Sequence, residues 1–208
     1  GVNVDHVPGT PGGAAEELGL WNALGAKPIR IPAAEVLESI SQRNVRILHL
    51  RGFSGTPFAD EAVEKLVQWV GAGGRLFLTG TDPEIAALLP RFGLPTPGPR
   101  LTTRIPASLP GTLPVNTPVG AYRLLHAASF RSIPNTSGPA SPCIARTVGR
   151  GTIVAVLADR WCDDAPDPMD KSRCYLGRAD NRRILKDCIS TLVADPATST
   201  NATAEVSR

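Results

Sequence analysis

Apolar residues recur along the chain with two periods, and the switches between them mark out the elements. "GVNVDHV" (1–7) alternates apolar and polar positions, as a half-buried strand does, and runs into the Gly/Pro turn "PGTPGG". Ala14, Leu18 and Trp21 then fall at helical spacing, with Gly25 as the stop. "KPIRI" (27–31) predicts a second short strand. Val36, Leu37 and Ile40 predict a second helix, and "VRILHLRG" (45–52) a third strand. After the loop "FSGTPF", Val63, Leu66, Val67 and Val70 occupy the i, i+3, i+4 and i+7 positions of the clearest helix, which the Gly71–Gly74 stretch ends. "RLFLTG" (75–80) is the fourth strand. Asp82 and Pro83 make an N-cap and N1 pair for a helix that places Ile85, Leu88, Leu89 and Phe92 on one face.

From Pro95 to about Ser141 the helical period vanishes, and seven prolines fall between Pro95 and Pro118. Within this irregular insertion, "AYRLLHAASF" (121–130) offers one or two strands, antiparallel at the sheet edge, where proline is tolerated nearby. "CIARTVGRGTIVAVLAD" (143–159) predicts two strands joined by a Gly149-Arg150-Gly151 hairpin turn. A long polar loop leads to a last helix from Asp180 that buries Ile184, Leu185, Cys188, Ile189 and Leu192. "DPATSTNATAEVSR" (195–208) has the composition of a disordered tail. Strands alternating with amphipathic helices indicate βαβ units around a parallel sheet. The expected fold is one α/β domain over residues 1–194: a three-layer, flavodoxin-like sandwich with a mostly parallel sheet and helices on both faces.

Composition narrows the function classes. With 42% hydrophobic and 20% charged residues the chain is globular. Its 22 basic and 19 acidic residues are interspersed, with no basic run, which argues against nucleic-acid binding. The longest strongly apolar run, "IVAVLA" (153–158), is too short to span a bilayer. The chain has no initiator Met and no signal-peptide pattern, so it is expected to be part of a longer protein. Cys143, Cys162, Cys174 and Cys188 lack C-x-x-C spacing, which speaks against a zinc knuckle. Cys162 and Cys174 bracket one loop, leaving two readings open: a disulfide in an oxidising compartment, or buried thiols. Asp163, Asp164, Asp167 and Asp170 crowd the same loop, but the spacing fits no EF-hand and basic residues lie among them. A solvated surface loop without metal is expected there.

Several pieces, in this order, carry a resemblance. "VDHVPGTPGG", "FADEAVEKLVQWVGAGGRLFLTG", "EIAALLPRFGL" and "GRGTIVAVLAD…DNRRILKDCISTLV" resemble class I glutamine amidotransferase-like domains, and are closest to the non-catalytic branch of that superfamily. That branch includes modules of bacterial gliding-motility transport components, of an intraflagellar-transport subunit and of bacterial surface-associated proteins. The resemblance spans residues 1–194 with the Pro-rich middle unmatched, and it implies a binding module of a surface or transport assembly, with an extracytoplasmic leaning and a membrane-associated parent. "GVNVDHV" alone also looks like the opening strand of pyridoxine 5′-phosphate synthase. That barrel needs eight βα units, and the Pro-rich stretch stands where its middle ones belong.

Catalytic members of the superfamily carry a cysteine at a strand-to-helix elbow, with a histidine and an acid after a late strand. Here the elbow is Gly80-Thr81-Asp82 and the late-strand position is Asp159-Arg160-Trp161, so both catalytic positions are vacant. No catalytic residue and no cofactor are expected. The expected binding surface is the rim at the carboxyl ends of the strands: Asp5, His6, Arg51, Ser54, Thr81, Asp82, Asp159 and Arg160, taking a protein partner or a small ligand. A hydrolase using Ser54 with His6 and Asp82 is the alternative, and a scaffold docking through its outer faces or edge strand is a third. His49, between Leu48 and Leu50, is expected to be a satisfied core or interface histidine.

Overall fold

The protein is seen here as a computed structural model, which describes residues 2–3, 15–28, 35–42, 45–51, 58–102, 107–109, 122–124, 129–134, 142–159, 161–162, 166–167, 170–174, 176 and 180–194. The elements in chain order are β1 (Val2–Asn3), α1 (Ala15–Ala23), α2 (Val36–Gln42), β2 (Ile47–Arg51), α3 (Asp60–Gly71), β3 (Arg75–Thr79) and α4 (Pro83–Arg91). There follow β4 (Arg100–Thr102), β5 (Ala107–Leu109), β6 (Tyr122–Leu124), β7 (Ser129–Arg131), β8 (Cys143–Val148), β9 (Gly151–Val156), β10 (Pro166–Asp167), β11 (Asp170–Cys174) and α5 (Asn181–Val193).

The main sheet has the order β1-β2-β3-β9-β8. The first four strands are parallel, and β8 closes the edge antiparallel to β9. Because side chains alternate across a strand, the sequence "RLFLT" serves two cores at once. Leu76 and Leu78 point with Leu48, Leu50, Ile153 and Ala155 into a cluster sealed by α2, α3 and α4. Phe77 points the other way with Val154 and Val156, against Trp21 of α1 and the Ile184, Leu185, Cys188, Ile189 and Leu192 face of α5. The result is the three-layer α/β sandwich expected from the alternation of periods.

Glycine permits one close approach that fixes the edge. The β8–β9 hairpin turns on Gly149, at φ +59°, a conformation that a first turn position favours in glycine. Arg150 N–H then donates to Gly71 O at 3.0 Å, and a side chain on Gly151 would fall on the carbonyl oxygens of Val70 and Gly74. The hairpin is thereby seated on the end of α3.

Three expectations change, and a fourth is met only at its edge by the described residues. Residues 121–130 do form two antiparallel strands, but they pair locally, β6 with β5 and β7 with β4. Among the described residues of this stretch, β7 reaches the sheet, running beside Leu157–Asp159 with a bridge from Phe130 to Ala158. Proline lacks the N–H that a longer ladder needs, and each of these ladders spans three residues. Second, the loop before α5 carries a short hairpin, β10–β11, that its polar composition did not signal. Third, Asp82 takes the N-cap position before Pro83, but its side chain makes no capping hydrogen bond. Fourth, Lys27 and Pro28 lie in coil, while the rest of the "KPIRI" strand and the 195–208 tail fall outside the described residues.

Candidate functional site

Two polar constellations lie at the carboxyl ends of the central strands, one on top of the sheet and one beneath it. The upper one begins at the elbow. Gly80, at φ 112°, turns the chain out of β3, and its N–H donates to Val156 O at 3.2 Å. The next N–H, of Thr81, donates to Asp159 Oδ1 at 2.9 Å. Thr81 Oγ1 lies 3.0 Å from Ser129 Oγ, and Ser129 Oγ donates to Asp159 Oδ2 at 2.5 Å. Arg100 completes the group, donating from Nε to Ser129 Oγ (2.7 Å) and from Nη2 to Asp159 Oδ2 (2.6 Å). Arg131 holds the same turn from behind, through Thr81 O at 2.6 Å and Gly98 O at 3.2 Å. The donor count closes: Ser129 gives its one proton to the carboxylate and accepts from Thr81 and Arg100. Asp82, beside this group, has its carboxyl pushed up by burial first and then by Asp159 and Glu84, against the pull of Arg100.

The lower constellation lies on the α1 side of the sheet. Glu17, in the first turns of α1, is fully buried, as is His49 of β2. Glu17 Oε1 lies 2.9 Å from His49 Nδ1 and accepts from Trp21 Nε1 at 3.3 Å, while Oε2 pairs with the Arg51 guanidinium. His49 Nε2 lies 2.9 Å from Thr79 Oγ1. Arg51 also donates to the Cys162 Sγ at 3.2 Å. The imidazole stacks on Phe77 with ring centroids 4.4 Å apart, and Trp21 meets Phe77 edge-on at 6.3 Å.

Charge is assigned by these contacts. Burial alone would raise the Glu17 carboxyl, but Arg51 first, then His49 and the hydrogen bonds from His49 and Trp21, outweigh it and hold the pKa down at about 2. Burial lowers the His49 pKa in spite of the neighbouring carboxylate, with Arg51 adding to the effect. A neutral imidazole therefore faces an ionised Glu17 with Nδ1, at 2.9 Å, and accepts from the Thr79 hydroxyl at Nε2.

In connectivity, Glu17–His49–Thr79 is an acid–imidazole–hydroxyl chain of the kind that activates a nucleophile. Its surroundings are closed. Thr79 is only 3% exposed. The two backbone N–H groups that follow it, those of Gly80 and Thr81, are committed to Val156 O and Asp159, so they are not left to stabilise an oxyanion.

Of the residues expected at the rim, Thr81, Asp82 and Asp159 come together. Arg51 turns beneath the sheet to Glu17 instead. Asp5, His6, Ser54 and Arg160 lie outside the described residues. Of the two readings left open for Cys162 and Cys174, the disulfide is corrected: among the described residues there is none, and Cys162 is a buried thiol that accepts from Arg51. Asp167 and Asp170 lie in the β10–β11 hairpin, and the described residues hold no cluster suited to a metal ion. The sequence reading missed Ser129, Arg100 and Arg131, which lie far apart in the chain, as well as Thr79 and Glu17. Glu17 did leave a signal, a carboxylate four residues before a buried tryptophan on the same helix face. His49 is the core histidine that its apolar neighbours predicted, fully buried, bonded at Nε2 to Thr79 and set against Glu17 at Nδ1.

No protein-family description and no curated protein matches the sequence. Solved structures do match. The mmIFT52 N-terminal domain aligns at TM-score 0.61 and 11% identity, covering 94% of this chain and 97% of that one. Two cytoplasmic proteins of Salmonella typhimurium follow: STM1381 at 0.52 and 12% identity, covering 86% and 87%, and STM3548 at 0.50 and 15%, covering 86% and 85%. The likeness is one of fold. It spans nearly the whole domain, and the sequence identities carry nothing further. Among the described residues, no helix is long and apolar enough to cross a membrane.

Proposed function

We propose that the chain is a non-catalytic binding module of a larger transport assembly, built on the amidotransferase-like architecture and engaging a protein partner or small ligand at the carboxyl-end rim of its sheet. The observation that carries this reading is the closure of both polar constellations. The hydroxyl at the elbow, Thr81, is fully buried and bonded to Ser129, and the hydroxyl beside an imidazole, Thr79, is buried and bonded to His49. Groups that an enzyme would keep available are used to join elements. Accessible polar groups at the rim are Asp82, part-exposed, and Arg100, whose side chain is 47% exposed. They present one acid and one base to whatever docks. The fold likeness to the N-terminal domain of IFT52 is compatible with a domain that works as one part of a longer protein.

The hydrolase alternative is tested directly. Purified protein is assayed for ammonia release from glutamine and for hydrolysis of p-nitrophenyl acetate, beside Thr79→Val, His49→Gln and Ser54→Ala. The expected result is no turnover that depends on any of the three. Turnover abolished by one substitution in a variant that remains folded would make the chain an enzyme.

A further inference from the structure

The helix that covers the lower constellation is short, and a buried charge helps to join it to the sheet. α1 is nine residues long and has Gly19 at its middle, too short and too interrupted to persist in water without tertiary contacts. Of its described side chains only Glu17 and Trp21 are buried, whereas α5 buries six. Glu17 makes the polar tether, to His49 and Arg51 of β2. Trp21 makes the apolar one, against Phe77, with Leu20 and the following Leu24 and Ala26 part-buried against the same cluster.

We propose that α1 is an acid-released cover: when His49 takes up a proton, α1 detaches from the sheet while the rest of the α/β core stays folded. The inference goes beyond the binding reading and does not depend on it. His49 is enclosed by Glu17 and Trp21 of α1, Arg51 of its own strand, and Phe77 and Thr79 of β3. The Cys162 thiol stands behind Arg51. Among these groups Glu17 attracts a proton on the imidazole, while Arg51 and the absence of water oppose it, and the opposition wins. Thr79 adds to the cost, since a protonated Nε2 must donate where it now accepts. Removing α1 takes away the wall that excludes water, so the exposed imidazole regains its ordinary proton affinity and acid favours the detached state. Detachment uncovers an imidazole, a guanidinium, a hydroxyl and an aromatic face side by side at the end of the sheet.

The expected size follows from the proton alone. With an ordinary imidazole pKa of about 6.5 when exposed, lowering the pH from 7.5 to 5.5 shifts the detached population by up to about tenfold. Amide hydrogen exchange, corrected for the intrinsic pH dependence of exchange, measures it. Segment 15–23 is expected to exchange with far less protection than 181–193 at both pH values and to lose severalfold protection over that interval, and His49→Gln is expected to flatten the response of 15–23. Equal protection of the two segments would mean that both open only by global unfolding and would overturn the proposal, as would a response that survives His49→Gln. Should that variant not fold, the wild-type His49 Cε1 proton resonance decides. Titration in step with the 15–23 amides supports release, and titration with no change in those amides contradicts it.

Discussion

Glu17 illustrates how a single buried charge is made tolerable. Its two oxygens are shared among Trp21, His49 and Arg51, and each contact replaces water that the carboxylate lost on folding. Replacing it with alanine strands Arg51 and the imidazole Nδ1–H, and Glu17→Ala is expected to cost about 3 kcal/mol in urea unfolding, as removal of one partner of a buried pair does. The pH dependence follows with a definite sign. Glu17 has a folded value near 2, below its ordinary 4.5, so the stability it contributes is complete above about pH 4.5 and is lost as the pH falls toward 2. His49 is also depressed from 6.5, so the unfolded chain takes up its proton first and stability declines from about pH 6.5 downward. Thermal midpoints measured from pH 7.5 to 5.5 should fall in the wild type and fall less in His49→Gln. Of this the sequence signalled only the buried histidine and the carboxylate four residues before Trp21 on one helix face. The partners of Glu17 on β2 lie 32 and 34 residues away, on a strand whose register only the folded sheet fixes.

At the scale of elements, local pattern and structure agree wherever one period is sustained. Val63, Leu66 and Val70 are buried on α3, Ile85, Leu88 and Leu89 on α4, and the five predicted residues on α5. The pattern fails where prolines break the ladders of the 95–141 stretch, and where β10–β11 rests on backbone pairing rather than apolar alternation. Two seams between elements yield contrasting expectations. Gly151→Ala would press a methyl group onto the carbonyls of Val70 and Gly74, which backbone cannot readily yield, and should cost about 3 kcal/mol. Gly71→Ala meets nothing within 4 Å at the end of α3 and should be neutral or stabilising by up to about 1 kcal/mol. Chemical denaturation of the pair separates a steric seam from mere glycine content. Asp159 is the other seam, joining the β3–α4 turn, β4 and β7. Asp159→Ala leaves a buried Thr81 N–H and Ser129 hydroxyl unsatisfied and should cost about 2 kcal/mol, whereas Asp159→Asn retains an acceptor for Thr81 and should cost less.

For the whole molecule, open α/β sheets bind ligands at the carboxyl ends of their strands, and Thr81, Asp82 and Asp159 come together at that end, where β3 and β9 stop. What the end does depends on whether its hydroxyls and imidazole are held for chemistry or for cohesion. Active sites are commonly kept at some expense of stability, so removing their polar groups often leaves the fold unchanged or firmer. A structural network behaves oppositely. Equilibrium unfolding of Thr79→Val, a near-isosteric change that leaves His49 Nε2 without its donor, puts the two against each other. The structural account predicts a loss of about 1–3 kcal/mol. Stability equal to or above that of the wild type would contradict it.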